Sequence, residues 1–232
     1  MLMAAALMMT ACDNKQKNDG KSVESDVATA APVDEDDSEE LSDDPTGILS
    51  IRQAWTNNTI SVEAGDAPGI EQLAFAFCQM YPQCETNKAL MDYLASSDDF
   101  DRNMFNVDCQ PRNGYIRCMM QVQTAPVTSA CCWNRSNNHK LFAAYMESIH
   151  ESGAWDEHLV VFYDYDPATD IMTPEPALTS MIEKRVKDAD SYSVVLPEEG
   201  KDIIVYGYTV NEEEDSADSN EMKLKWNGMT FD

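Results

Sequence analysis

Apolar residues recur at helical spacing near the start of the folded region. Ile70, Leu73 and Phe77 form a stripe on one side of a helix that Pro68 can open and Pro82 ends. A second apolar stripe predicts a short helix over residues 86–95. Together the two segments predict a helical hairpin that packs its apolar face on another part of the protein.

A further helix is predicted upstream of this hairpin. Asp44 and Pro45 can open it, and Ile48, Ile51 and Trp55 supply its apolar side.

From about residue 102 the pattern changes to short runs rich in β-branched and aromatic residues between turn signals. Nine such runs are predicted as strands: 102–109, 115–122, 129–136, 139–147, 158–165, 170–174, 192–196, 202–210 and 221–227. The run 203–210 is apolar at consecutive positions, which predicts a central strand covered on both faces. Helices followed by strands predict an α+β fold, in which an N-terminal helical hairpin packs on a mostly antiparallel β-meander sheet.

The charge balance narrows the classes of partner. The chain has 42 acidic and 16 basic residues, a formal net charge of −26. Nucleic acid and anionic lipid head groups are disfavoured as partners, because binding to either depends on Lys and Arg. Basic proteins, cationic peptides and divalent cations are favoured, and exposed Tyr or Trp on a sheet face could bind a peptide or a glycan.

Three regions follow from composition. Residues 1–11 are apolar, and residues 12–45 are rich in Ser, Asp, Glu, Lys and Ala without an aromatic residue. Such a polar, charged stretch cannot bury enough apolar surface to offset its ordering entropy, so 12–45 is predicted to be a disordered tether. Residues 46–232 are predicted to form a single globular domain.

The first twelve residues carry a recognisable signal. An apolar run from Met1 to Met9 is followed by the small residues Thr10 and Ala11 and then by Cys12. This arrangement resembles the lipobox of a bacterial lipoprotein, in which residues 1–11 are the signal peptide. The resemblance implies that Cys12 is acylated and anchors the chain in the cell envelope, with the outer membrane favoured, facing the periplasm or the cell surface.

The other six cysteines suit an oxidising compartment, where an even count indicates disulfides. Asn113-Gly114 is the strongest signal for a two-residue hairpin loop. With those residues as the loop, Cys109 lies directly opposite Cys118, close enough for a disulfide.

The connectivity of the remaining cysteines stays open. Cys78 and Cys84 straddle the predicted helix end at Pro82 and could close a short loop. Cys131 and Cys132 are adjacent in a predicted strand, so they should point to opposite faces.

The densest acidic cluster inside the folded region is Asp164, Asp166 and Asp170. Alternating carboxylates can bind calcium, and paired carboxylates can serve a hydrolase, although ordinary turn chemistry explains the same residues. His139, His150 and His158 match no zinc template. No motif of a catalytic nucleophile or of a phosphate-binding loop occurs.

The region from about residue 75 to 231 resembles small exported proteins of Bacteroidota that have no assigned role. The pieces that carry the resemblance are Ala76-Phe77, Asn113–Tyr115, Cys132–Asn134, His139–Phe142, Phe162–Pro167 and Leu224–Gly228. These are turn and strand residues, so the resemblance transfers no catalytic residue. The sequence therefore favours a non-enzymatic envelope lipoprotein that binds a basic protein, peptide or glycan. A hydrolase using Asp164, Asp166 and Asp170, or a calcium-dependent binding module, is the alternative.

Overall fold

The computed structural model describes residue 44, residues 46–63, residue 65, and residues 68–122, 126–149, 156–211 and 216–232. The predicted signal segment 1–11, Cys12 and the predicted tether 12–45, apart from Asp44, lie outside the described residues.

Three helices precede most of the strands, and a fourth lies between two groups of strands. The helices are α1 (Ile48–Ala54), α2 (Ile70–Met80), α3 (Glu85–Leu94) and α4 (Pro176–Arg185), and the 3-10 turn Trp55–Asn57 continues α1. The strands are β1 (Ile60–Ser61), β2 (Phe105–Gln110), β3 (Tyr115–Met120), β4 (Val127–Asn134), β5 (Lys140–Ile149), β6 (Asp156–Asp166), β7 (Ile171–Pro174), β8 (Ser191–Val195), β9 (Ile203–Asn211) and β10 (Ser216–Leu224).

Two antiparallel sheets contain these strands. The larger has seven strands in the order β1-β7-β6-β5-β4-β3-β2, and the smaller has three in the order β10-β9-β8. Every pairing is antiparallel. The predicted α+β class with an antiparallel sheet is therefore confirmed.

The predicted N-terminal helical hairpin is not supported as a unit of its own. Helix α1 and strand β1 precede α2, and β1 joins the edge of the larger sheet beside β7. Apolar side chains of α1, α2 and α3 belong to one shared core, for example Ile51, Phe77 and Leu90. Burial of all three apolar faces on the same sheet explains this arrangement.

The larger sheet is covered on both faces. One face packs on α1, α2 and α3 through residues such as Phe142 and Tyr163. The opposite face packs on α4 and the smaller sheet through residues such as Leu141, Tyr145 and Phe162. Strands β5 and β6 are consequently buried on both sides. The second layer, including α4, was not predicted from the sequence.

Candidate functional site

The three aspartates predicted as a calcium or hydrolase site lie at the end of β6 and in the turn that follows it. Asp164 and Asp166 are two residues apart on β6, so they share a face of the larger sheet. Asp170 is in the turn before β7, in the left-handed conformation with a φ of 56°.

Asp164 belongs to an ion network that joins three parts of the fold. Nη1 of Arg135, which follows β4, donates a hydrogen bond to Oδ1 of Asp164. The same guanidinium donates two hydrogen bonds to Glu175, the residue before α4. Nη1 lies 2.7 Å from Oε1 and Nη2 lies 2.6 Å from Oε2. The Arg135 side chain is only 7% exposed. The network therefore ties the β4–β5 turn to β6 and to the start of α4.

His139 completes this network on its solvent side. Nδ1 of His139 lies 2.6 Å from Oδ2 of Asp164, so both carboxylate oxygens of Asp164 have a partner. Nε2 lies 3.8 Å from Oδ1 of Asp166. A carboxylate that is bonded at both oxygens is poorly placed to act as a nucleophile or a free general base.

The other two aspartates have separate structural roles. Asp166 accepts hydrogen bonds from the backbone N–H of Ala168 at 2.8 Å and from the Thr169 hydroxyl at 3.2 Å, as in ordinary turns. Asp170 accepts a hydrogen bond of 2.6 Å from the hydroxyl of Tyr165. Tyr165 belongs to the core on the helical side of the sheet, away from Asp164.

The three aspartates therefore do not converge on one point. Among the described residues, no group of three His, Cys, Asp or Glu side chains is arranged to hold a metal ion. Burial opposes the charge of Arg135, but hydrogen bonds and charge attraction from Glu175 and Asp164 outweigh it and raise the pKa of Arg135. This geometry favours a structural ion network over a hydrolytic site.

The predicted pairing of Cys109 with Cys118 rested on a register that the structure contradicts. Cys109 lies opposite Ile116, and Cys118 lies opposite Val107. The loop has four residues, because Gln110 and Tyr115 are the last pair before it. Cys109 and Cys118 are therefore diagonal neighbours, farther apart than directly opposite residues.

All six described cysteines are free thiols, including Cys78 and Cys84. The structure gives no support to either predicted disulfide. Burial raises the pKa of Cys118 to about 12 and that of Cys109 to about 11, so only a small fraction of either thiol is the reactive thiolate at neutral pH. Cys131 and Cys132 point to opposite faces of β4, as strand alternation predicts, since they pack on different cores.

The smaller sheet has one face that lies outside both cores. Its side chains include Val195 of β8, Ile204, Tyr206 and Tyr208 of β9, and Glu221 and Lys223 of β10, which together we call the tyrosine face. Val195 is 47% exposed, and none of the six belongs to either core. Tyr206 and Tyr208 are two residues apart on β9, so this face carries two neighbouring phenols.

The prediction that 203–210 is covered on both sides was wrong. Ile203 and Val205 are buried in the second core, whereas Ile204, Tyr206 and Tyr208 are only partly buried. A run of apolar residues does not reveal which face is covered, because Tyr can pack its ring on a neighbour while its hydroxyl stays in water. The two tyrosines at alternate positions, Tyr206 and Tyr208, were the feature of the sequence that could have indicated a partly exposed face.

The C-terminal part of the chain, which carries the tyrosine face, is acidic in composition. The negative charge of Glu221 raises the pKa of Tyr206, its opposite neighbour across β9 and β10. From Lys187 onward the chain has four lysines, and it has twelve acidic residues: Asp188, Asp190, Glu198, Glu199, Asp202, Glu212, Glu213, Glu214, Asp215, Asp218, Glu221 and Asp232. Two of the lysines, Lys187 and Lys223, are paired with aspartates.

A polar hollow of about 530 Å³ lies beyond the end of α3. Tyr93 and Phe100 form one wall, and Glu71, Asp98 and Arg102 are among its charged lining. Small-molecule sites are usually enclosed and mostly apolar, which this hollow is not.

Comparison with protein-family models, with curated proteins and with solved structures gives no match. None of the described helices is long and apolar enough to cross a membrane.

Proposed function

We propose that this protein is a non-enzymatic binding module that recognises a cationic segment of a partner protein through its tyrosine face. The observation that carries the proposal is the position of Glu221 beside Tyr206 on a sheet face that belongs to neither core. A phenol ring attracts a cation by its π-electrons, and a neighbouring carboxylate attracts the same cation by its charge.

The overall charge supports a basic partner. With a formal net charge of −26, the protein attracts cationic proteins at long range and repels other acidic surfaces. Tyr208 adds a second ring beside Tyr206, and its hydroxyl lies 3.1 Å from that of Ser193. Two adjacent rings present a wide contact area with few rotatable bonds.

We further propose that a lipid on Cys12 holds the module in the cell envelope and that residues 13–45 act as a spacer. The apolar run before Cys12 and the acidic stretch after it support this part of the proposal. In the native host, a Cys12→Ala variant is expected to leave the membrane fraction. Membrane residence of that variant would contradict lipid anchoring.

The binding proposal is tested by titrating full-length protein with a short peptide of alternating Lys and Thr. The double variant Tyr206→Ala/Tyr208→Ala is expected to bind about five- to thirtyfold more weakly, since each of the two exposed cation–π contacts contributes about 0.5–1 kcal/mol. Val122→Ala, which truncates a side chain that is 51% exposed elsewhere, is the matched control.

Charge specificity needs its own measurement. A peptide of alternating Glu and Thr is expected not to bind, and raising the salt concentration should weaken binding of the Lys peptide. Equal binding of both peptides, or tight binding of a neutral oligosaccharide at the same tyrosines, would contradict recognition of a cationic segment.

A further inference from the structure

The smaller sheet has an open edge along β10. Strand β10 is hydrogen-bonded to β9 on one side and is the terminal strand of the sheet. At nine residues it is longer than the other three edge strands, β1, β2 and β8, which have two, six and five residues. Among the described residues, no backbone hydrogen bond reaches the outer edge of β10.

Proteins usually protect an exposed edge strand, because its free N–H and C=O groups can pair with another chain. Strand β10 contains no proline, and its register with β9 runs without a bulge from Ser216 to Leu224. Asp218, Ser219 and Asn220 are all exposed, so this part of the strand projects beyond the core. The backbone is therefore accessible to an incoming strand.

The charge of the edge discriminates between possible partners. The charged residues of β10 are Asp218, Glu221 and Lys223, and Lys223 is paired with Asp202. The approach of a second copy of the protein is opposed by repulsion between two chains that each have a formal net charge of −26. A strand that carries Lys or Arg would instead meet opposite charge.

We propose that β10 accepts an extended basic segment of a partner protein as a fourth strand of the smaller sheet. This inference rests on the proposed function and specifies how the cationic segment is held. Backbone hydrogen bonds to β10 supply affinity, and alternate side chains of the incoming strand lie on the side of the tyrosine face. A Lys or Arg at those positions lies beside Glu221 and reaches toward Tyr206.

The proposal predicts a dependence on the backbone of the ligand. In a strand, successive N–H groups point to opposite sides, so only every second one can bond β10. We would N-methylate either all Lys residues or all Thr residues of the alternating Lys-Thr peptide. One methylated peptide is expected to bind at least about tenfold more weakly than the parent, and the other about as well as the parent.

Amide hydrogen exchange of the full-length protein provides an independent readout. The amides of β10 that do not bond β9 should become protected when the parent peptide binds, and those already bonded to β9 should change little. Amides of β2, the edge of the larger sheet, serve as the internal control.

The outcomes separate this inference from the proposed function. If the parent and both methylated peptides bind equally and β10 gains no protection, strand addition is wrong while recognition by side chains stands. If the parent peptide does not bind, both are wrong. Dimerisation of the protein through β10 without peptide would also overturn the proposal.

Discussion

Tyr206 of β9 and Glu221 of β10 lie directly opposite each other on the tyrosine face, and the carboxylate raises the pKa of the phenol. An isolated phenol on a sheet surface would have no such neighbour. The pair places a negative charge next to a ring, which is an arrangement that a cation can use.

The pair makes a prediction that needs no ligand. In Glu221→Gln, the pKa of Tyr206 should fall toward its ordinary value, because removing the negative charge makes the phenolate easier to form. NMR of ring-labelled tyrosine would follow the titration. Glu199→Gln, in an exposed turn, is the control and should leave the Tyr206 pKa unchanged. An unaltered Tyr206 pKa in Glu221→Gln would contradict the assigned contact.

Local pattern predicted most strands well because alternation and turn residues are local properties. The run 158–165 corresponds to β6, Asp156–Asp166, and the run 115–122 to β3, Tyr115–Met120. Helix α4 was missed although Leu178 and Ile182, four residues apart after Pro176, carry a helical signal. The segment is short, and its burial depends on the larger sheet beneath it.

Pairing between strands was harder to predict than their positions. Asn-Gly favours a two-residue loop that needs positive φ at both residues. Gly114 has a φ of 69°, but Asn113 is not among the residues with positive φ. The loop therefore has four residues. Each residue of β2 lies opposite a residue of β3 that is two positions earlier than predicted, so Cys109 lies opposite Ile116 and not Cys118. The covered faces could not be predicted either, since they depend on the second layer.

The aspartate cluster could be predicted from the sequence in part, whereas the tyrosine face could not. The aspartates at 164 and 166 were correctly seen as a local cluster, yet their partners Arg135 and Glu175 come from distant positions. Sequence spacing cannot indicate which charges meet across strands. The tyrosine face was hidden for the same reason, because exposure of one face is a tertiary property.

Arg135 should stabilise the fold more than other charged residues do. Arg135→Ala leaves Asp164 and Glu175 without their cation, and these side chains are only 22% and 29% exposed. We expect a loss of about 2 kcal/mol in the free energy of unfolding, less than for a fully buried pair because both carboxylates retain some water.

Urea denaturation would measure the loss in Arg135→Ala. Lys187→Ala, which breaks the pair between Lys187 and Asp188, is the control and should cost about 0.5 kcal/mol or less, because both of these side chains are mostly exposed. Arg135→Lys should fall between wild type and Arg135→Ala, because a lysine cannot reproduce the fork of hydrogen bonds to Glu175. Equal effects in Arg135→Ala and Lys187→Ala would contradict a structural role for the network.

The Gly114 turn predicts a large effect from a single methyl group. A Cβ on Gly114 would lie 2.7 Å from the backbone oxygen of Cys132, and φ is 69°. Gly200 has a φ of 83° but open space around it. Gly200→Ala should therefore cost about 1 kcal/mol from backbone strain alone, and Gly114→Ala about 3 kcal/mol from strain plus the clash. Thermal unfolding compares the two variants, and similar losses would exclude the close approach.

A buried polar chain connects α3 to the larger sheet. The Thr128 hydroxyl on β4 donates to Oδ1 of Asn87 at 2.8 Å, and the Thr86 hydroxyl lies 2.7 Å from that of Thr128. All three side chains are fully buried. Thr128→Val keeps the shape but removes the donor to Oδ1 of Asn87 and one partner of the Thr86 hydroxyl, so a loss of about 1–3 kcal/mol is expected.

A double-mutant cycle isolates this coupling. The double variant Thr86→Val/Thr128→Val should lose less stability than the sum of the two single variants. The reason is that Thr128→Val has already removed the hydrogen bond that the Thr86 hydroxyl makes to Thr128. Thr59→Val, at an exposed position, should stay within about 0.5 kcal/mol of wild type. Additive losses would mean that the two hydroxyls do not interact.

The free thiols make a prediction about reactivity and pH. The thiolate is the reactive form, and burial raises the pKa of Cys109, with added repulsion from Glu71 and Asp108, to about 11. Iodoacetamide should therefore label native protein slowly at neutral pH, and its rate at Cys109 should climb steadily as the pH rises toward 11. Cys118, which is completely buried and has a pKa of about 12, should be labelled later than Cys109. Peptide mapping by mass spectrometry reports each site, with urea-unfolded protein as the reference. Protection of Cys109 and Cys118 after unfolding without a reductant would reveal a disulfide and contradict the free thiols.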